Sequence, residues 1–453
     1  MSGIKRSRKF NLLGCLKRQV SLYKTKKKLN KFSISSSRFF KNAIDYYIGV
    51  IINALLNILV IYVLSTSLEK NEFAVFSLYT NLFLLLSSFN TSWVIQGIYR
   101  FSSIFNDSDR NILRKSNAQI SLLQGSIFAI IGASIILIFF RVHLSFLIFL
   151  VLLPINNFYL VNIAHLQTEK KIRTYWLFEI SRISIFILTA SVVIFTFFNN
   201  KLPLIYLSLT LSYLIPSIFL FIREYKTSFR EFSKFIFFHT RSIFNYGWPL
   251  ALWFIFAQLQ NVGDRYVLAY FLDLKYVGIY AIVYDLVYKS VIMFTSPLLS
   301  YLQPIIMEYH NNNDIERREK ILNNLIKIFL LLFLVGGIFL FFFSNMIFHF
   351  FGKIDDYDCS IITVLIFSGS CIWQIAMIVH KPLEFNKQTS KMLFAIIVSF
   401  SINIGLNILL IPIYNSLIVP ATITLVSSII YCVYVYISAL KSEPNQKETI
   451  VRL

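Results

Sequence analysis

Twelve long apolar runs, each of roughly 18 residues or more with few charges, leave this 453-residue chain few ways to fold. They lie near 44–64, 73–98, 118–140, 143–165, 177–198, 202–222, 244–270, 278–302, 325–350, 361–380, 392–412 and 417–440. A run of that length crosses a bilayer as a helix, because a helix satisfies its own backbone donors and acceptors where no water can. Charged residues make up 14% of the chain, against about 25% in soluble domains, so a soluble enzyme of this size is excluded. The expected fold class is an all-α polytopic membrane protein with twelve transmembrane helices.

The formal net charge of +21 first suggests nucleic acid, but its distribution argues otherwise. Of the 43 Lys and Arg, 13 precede residue 44, 3 lie in the tail from residue 441, and 18 sit in loops after even-numbered spans. The other loops hold Lys70, Arg141, Lys201, Lys275 and Lys353. That asymmetry is the positive-inside pattern, so both termini are expected in the cytoplasm and no nucleic-acid partner is expected. Residues 1–43 have no apolar core or cleavage site and are not a secretory signal. Phe10, Leu13, Leu16 and Val20 recur there at helical spacing among cations. Two readings fit that spacing: an interfacial anchor on anionic lipid, or a basic tail that fixes topology.

Catalytic and metal signatures are lacking. Cys15, Cys359, Cys371 and Cys432 have neither metal nor redox spacing. The six histidines form no HExxH or paired ligand motif, and no glycine-rich phosphate loop occurs. The expectation is a non-enzyme with no cofactor and no metal, driven by an ion gradient, a partner or downhill flow. The loops, none longer than about 20 residues at 223–243 and 303–324, leave no room for a soluble catalytic domain. The acids Asp355, Asp356 and Asp358 read as a solvated turn.

An internal repeat organises the chain. A shift of 204 lays 63–82 on 267–286, matching Val63, Leu64, Leu68 and Leu82, setting Glu69 on Asp273 and Asn57 on Asn261. A shift of 215 lays 165–174 on 380–389, matching His165 with His380, Glu169 with Glu384 and Thr174 with Thr389. Both shifts are even in span number, so the two six-helix bundles have the same orientation. The division is a basic tail 1–43, an N-terminal bundle 44–222, a linker 223–243, a C-terminal bundle 244–440 and a tail 441–453.

Polar groups are costly in hydrocarbon, so each is a candidate with a structural rival. Asn53 and Asn57 share a helix face in span 1, and Gln258, Asn261 and Arg265 share one in span 7, beside Asp264. These stripes are expected to face a central cleft; helix–helix hydrogen bonding is the alternative. Span 8 holds Asp285 and Lys289 at i, i+4, with Asn81 opposite Asp285 through the repeat, and span 5 holds Glu179 and Arg182. Each pair is either a self-neutralising structural pair or part of a site. On the second reading Arg182, Arg265 and Lys289 form a cationic cavity for an anionic cargo, and the acids and amides set gating or ion coupling. Tyr276, Tyr280, Tyr284 and Tyr288 recur every four residues in span 8, as packing or as stacking surfaces for sugar rings.

The stretch 244–309 carries Gly247-Trp248-Pro249, Asp264-Arg265, Val277-Gly278-Ile279-Tyr280 and Pro304. Together with the turns after spans 4 and 10 and the ending at 406–433, it resembles the Wzx-type polysaccharide flippases of the multidrug/oligosaccharidyl-lipid/polysaccharide exporter superfamily. Asn415 stands where that family usually carries Gly, and Val419-Pro420 replaces a small pair. The resemblance implies a MATE-like fold of two six-helix bundles with alternating access. It implies as cargo an undecaprenyl-diphosphate-linked oligosaccharide repeat unit, moved across the bacterial cytoplasmic membrane for O-antigen, capsule or exopolysaccharide synthesis. Membrane lipids, a coupling ion (H+ or Na+), and a polysaccharide polymerase with chain-length machinery are the implied partners. The alternatives are an exporter of this fold for drugs or another lipid-linked precursor, and a membrane glycosyltransferase or polymerase.

Overall fold

Buried from water, an apolar run can satisfy its backbone only within itself, and the computed structural model of the chain is helical in all but short turns of its described residues. These are 36–102, 107–140, 143–169, 171–196, 201–225, 240–311, 314–352, 358–386 and 388–442. The N-terminal amphipathic stretch, the centre of the 223–243 linker, Asp355, Asp356 and the last residues of the C-terminal tail lie outside them. The chain divides into two compact units, Met1–Ile44 and Asp45–Leu453, and the packed helical bundle is the second.

The helices are α1 (Ser36–Ser67), α2 (Lys70–Phe101), α3 (Asp107–Phe140), α4 (His143–Thr168), α5 (Ile172–Thr196), α6 (Lys201–Tyr225), α7 (Thr240–Phe271), α8 (Leu274–Asn311), α9 (Ile315–Gly352), α10 (Asp358–Val379), a single turn α11 (Lys381–Phe385), α12 (Thr389–Tyr414) and α13 (Ile418–Ser442). Each expected span falls on one of the twelve long helices. Eleven contain a stretch long and apolar enough to cross a membrane. The exception is α7, whose Gln258, Gln260, Asn261, Asp264 and Arg265 dilute its hydropathy. It packs against α2 and α12, so Gln260, Asp264 and Arg265 are buried in protein rather than in lipid.

One expectation needs correcting. The segment 303–324 is not a loop: α8 continues to Asn311 and α9 begins at Ile315, so both helices run on past the apolar stretch. Hydropathy marks where lipid ends, whereas a helix ends only where its hydrogen bonding stops.

Packing recurs along the chain. Helix α2 packs on α4 as α8 packs on α10, α3 on α4 as α9 on α10, α4 on α6 as α10 on α13, and α5 on α6 as α12 on α13. Helices α7 and α8 also lie against α2, and glycine makes that approach possible. A Cβ on Gly247 would collide with the Trp93 backbone, and one on Gly278 with the Lys70 carbonyl. These are the glycines of the Gly-Trp-Pro and Val-Gly-Ile-Tyr stretches. A continuous core results, in which Leu78, Tyr79 and Leu82 of α2 pack with Tyr280, Val283 and Val287 of α8.

Candidate functional site

Asp264 and Arg265 of α7 and Asp285 and Lys289 of α8 assemble where these two helices meet α2. Arg265 is 2% exposed. Its Nη2 donates to Asp285 Oδ1 at 2.6 Å and its Nη1 to Ser77 Oγ of α2 at 2.9 Å. The guanidinium also lies 4.8 Å from the centre of the Tyr284 ring. Asn81 Nδ2 donates to the same Ser77 hydroxyl at 3.3 Å, so the Asn81 expected opposite Asp285 joins the group through Ser77 and Arg265. Lys289 Nζ lies 3.8 Å from Asp285 Oδ2, one helical turn away, and is 39% exposed, whereas Asp285 is 25% exposed. Asp285 is thus shared between a buried guanidinium held in short contact and a more open ammonium held loosely.

Asp264 lies on the protein side of α7. It accepts from the Tyr280 hydroxyl at 2.6 Å, from the Arg265 backbone N–H at 2.8 Å, and from Thr424 of α13 at 3.5 Å. Two acids and two bases therefore occupy one seam, and desolvation is offset by paired charge and by hydrogen bonds on both carboxylates. The tyrosine stripe turns toward this seam. Tyr284 donates to Asn261 Oδ1 at 3.4 Å, and Asn261 Nδ2 donates to Tyr288 at 3.2 Å. Tyr276 stands apart, 44% exposed. Those ring hydroxyls are used in packing α8 on α7.

The other expected residues form separate groups. Arg182 donates to Glu179 at 3.1 Å and to the Tyr213 hydroxyl at 3.4 Å, and Tyr159 donates to Glu179 at 3.0 Å. This cluster belongs to α4, α5 and α6. Among the described residues no hydrogen bond or ion pair joins it to Arg265. Asn57 donates to the backbone and side-chain oxygens of Asn53, both at 2.8 Å, within α1. Gln258 is half-buried, and it is Gln260 that is buried and reaches Ser427 of α13 at 3.4 Å. The three cations expected in one cavity are thus distributed over two clusters, each held by a carboxylate.

Sequence reasoning missed Ser77 and Thr424, because a lone hydroxyl in an apolar helix usually bonds its own backbone. It also missed the group in which Asn403 Nδ2 donates to Ser427 Oγ at 3.0 Å, since α12 and α13 carry no charge there to draw attention. A third omission is Arg114 of α3, which pairs with both Glu169 and Glu224. Its sequence signal was the repeat itself: 204 residues on stands Arg318. Glu169 lies just past the apolar stretch of α4. Burial opposes its charge, but the Lys171 hydrogen bond and the Arg114 charge prevail and hold its carboxyl below the usual glutamate value. Cys359 and Cys371 are buried and unbridged, and no cluster of His, Cys, Asp or Glu suited to a metal occurs among the described residues.

No family model and no curated protein sequence matches the chain. Solved structures do match in fold. An inward-facing multidrug resistance MATE family transporter of the MOP superfamily aligns with TM-score 0.67 at 15% identity, covering 87% of this chain and 94% of that one. Its outward-facing counterpart gives 0.63 at 14% over 89% and 94%. The lipid II flippase MurJ, in an inward closed conformation, gives 0.62 at 17% over 89% and 88%. The fold is that of these transporters, and the chain is a multi-pass membrane protein.

Proposed function

We propose that this protein flips a polyprenyl-diphosphate-linked oligosaccharide repeat unit across the bacterial cytoplasmic membrane, for assembly of a surface polysaccharide. The observation that carries the reading is the Arg265–Asp285–Lys289 group, set where α7 and α8 meet α2. Lys289 is the member free to exchange partners. Its 3.8 Å pairing with Asp285 is long, and its ammonium is partly open. A diphosphate competes well for such a charge, because it offers several strong acceptors. Arg265 remains in place as the buried counter-charge of Asp285 and positions it. The two halves, 44–222 and 244–440, act as the moving bodies of alternating access, with both termini cytoplasmic. The seam of α2 with α7 and α8 is where their relative motion is felt. A coupling ion, H+ or Na+, drives the cycle. MurJ, by its description a lipid II flippase, lends the reading support as a transporter of this fold with a lipid-linked cargo.

The test is transport by purified protein in proteoliposomes, using a fluorescent undecaprenyl-diphosphate oligosaccharide under H+ and Na+ gradients. Wild type should flip it. Lys289→Ala should lower the rate about tenfold, the effect of losing one charged contact of about 1.4 kcal/mol, and Arg265→Ala should abolish it in folded protein. Arg182→Ala serves as the second-cluster comparison. Flipping retained by all three variants would leave these residues as structural pairs. Absence of flipping, together with efflux of a cationic dye such as ethidium, would make the protein a drug exporter.

A further inference from the structure

A cavity of about 510 Å³ opens between α8, α9 and α10. Its floor is buried and apolar: Leu286, Val287 and Val291 of α8 and Phe348 of α9. Its mouth, at Phe294, Val335 and Phe339, is more than half exposed and opens on the lipid-facing side. Ser290 is the only polar side chain in the lining among the described residues.

The other half is built from the same three-helix arrangement. There Gly132 of α3 is covered by the Phe149 ring and the Leu86 side chain. The positions 204 residues on from Gly132 and Leu86 are Gly336 and Ser290, and both line the cavity. A serine where the first half has a leucine leaves the gap unfilled. A void of this kind costs stability unless something occupies it.

The position of the cavity indicates its occupant. Leu286 and Ser290 directly follow Asp285 and Lys289, so apolar cleft and charged pair lie on adjoining faces of α8. Lys289 is 11 residues beyond residue 278, where the eighth apolar run begins, or about 16 Å along it at 1.5 Å per residue. That is near the middle of a hydrocarbon core about 30 Å thick. A resident phospholipid keeps its phosphate at the interface, well away from this depth. A lipid phosphate that reaches Lys289 has been drawn in headgroup first, with its chain beside it. We infer that the α8–α9–α10 cleft holds the isoprenoid chain of the cargo while Lys289 engages its phosphate. This inference rests on the flippase reading and adds the place of the tail.

The test is photo-crosslinking of full-length protein carrying benzoylphenylalanine at Phe339, in phosphatidylethanolamine/phosphatidylglycerol vesicles containing undecaprenyl phosphate. The control carries it at Leu188 of α5, which is 66% exposed and does not line the cavity. Adducts are identified by mass. Undecaprenyl phosphate should be enriched at 339 over 188 by about tenfold, a preference of about 1.4 kcal/mol for the cleft. Ser290→Leu, which restores the side chain of the first half, should remove the enrichment without lowering the melting temperature. Equal labelling at both positions, or phospholipid adducts alone at 339, would overturn the inference. If Ser290→Leu does not fold, the contrast of 339 with 188 decides. Enrichment without glycan flipping would remove the proposed cargo and keep the isoprenoid cleft, and flipping without enrichment would do the reverse.

Discussion

At the scale of single residues, one of the two departures from the family resemblance shows why it is tolerated. Asn415 caps α12 with φ 46° and ψ 39°, the left-handed conformation, and donates its N–H to the Ile411 carbonyl. Glycine reaches that region freely and asparagine does so better than most residues. Asn415→Gly should therefore be neutral to stabilising, whereas Asn415→Val should cost about 1–2 kcal/mol in thermal unfolding of detergent-solubilised protein. Arg265 bears a heavier role. Its removal leaves Asp285 with only the long Lys289 contact, so Arg265→Ala should cost about 3 kcal/mol. Arg265→Lys should not restore the protein, because an ammonium cannot reach Asp285 and Ser77 with a planar fork. A lysine variant as stable as wild type would show that the fork geometry is not what holds the seam. The spacing of Asp285 and Lys289 made their pairing readable in the sequence. That Arg265 would take the shorter contact was not, because a helical wheel describes one helix and says nothing about how neighbours are rotated.

At the scale of elements, the apolar runs located every long helix among the described residues, because hydrocarbon imposes one solution on the backbone. What they left unread was contact between helices. Gly247 and Gly278 stood out in the sequence only as parts of a resemblance. In the fold they are the points where α7 and α8 touch the backbone of α2. Gly247→Ala and Gly278→Ala should each destabilise the protein by about 1–3 kcal/mol through overpacking. Gly405 of α12 has nothing within 4 Å of an added Cβ, so Gly405→Ala should be neutral or stabilise by up to about 1 kcal/mol. Melting temperatures of the three variants test this ordering. The Arg114 cluster adds a pH dependence. The Glu169 carboxyl titrates below its unfolded value, so the folded state binds the proton less readily. Its contribution is complete above the ordinary glutamate range and is lost as pH falls through the depressed value. Acid unfolding of Glu169→Gln should therefore be flatter with pH than that of wild type. Superimposable profiles would remove Glu169 from the ionic cluster.

At the scale of the whole molecule, the charge asymmetry and the repeat were legible because both are properties of order along the chain. The apolar cleft was not, since its cause is a missing side chain at Ser290 that has meaning only beside Leu86. The same order makes a prediction about orientation. The ends carrying Arg114, Glu169 and Glu224 belong to α3, α4 and α6 at the turns that follow even-numbered spans, which hold 18 of the Lys and Arg. The α8–α9 turn near Asp314 belongs to the same set, and the α7–α8 turn at Asp273 to the other. With the four native cysteines replaced, a single cysteine at Glu316 should react with a membrane-impermeant maleimide only after the cytoplasmic side is opened. One at Asp273 should react from outside in intact cells. Translocating an arginine or lysine costs more than retaining it, which is why the charge count sets the expected sense. The reverse labelling pattern would invert the direction of transport and place Lys289, and the cleft beside it, on a path that takes a lipid inward.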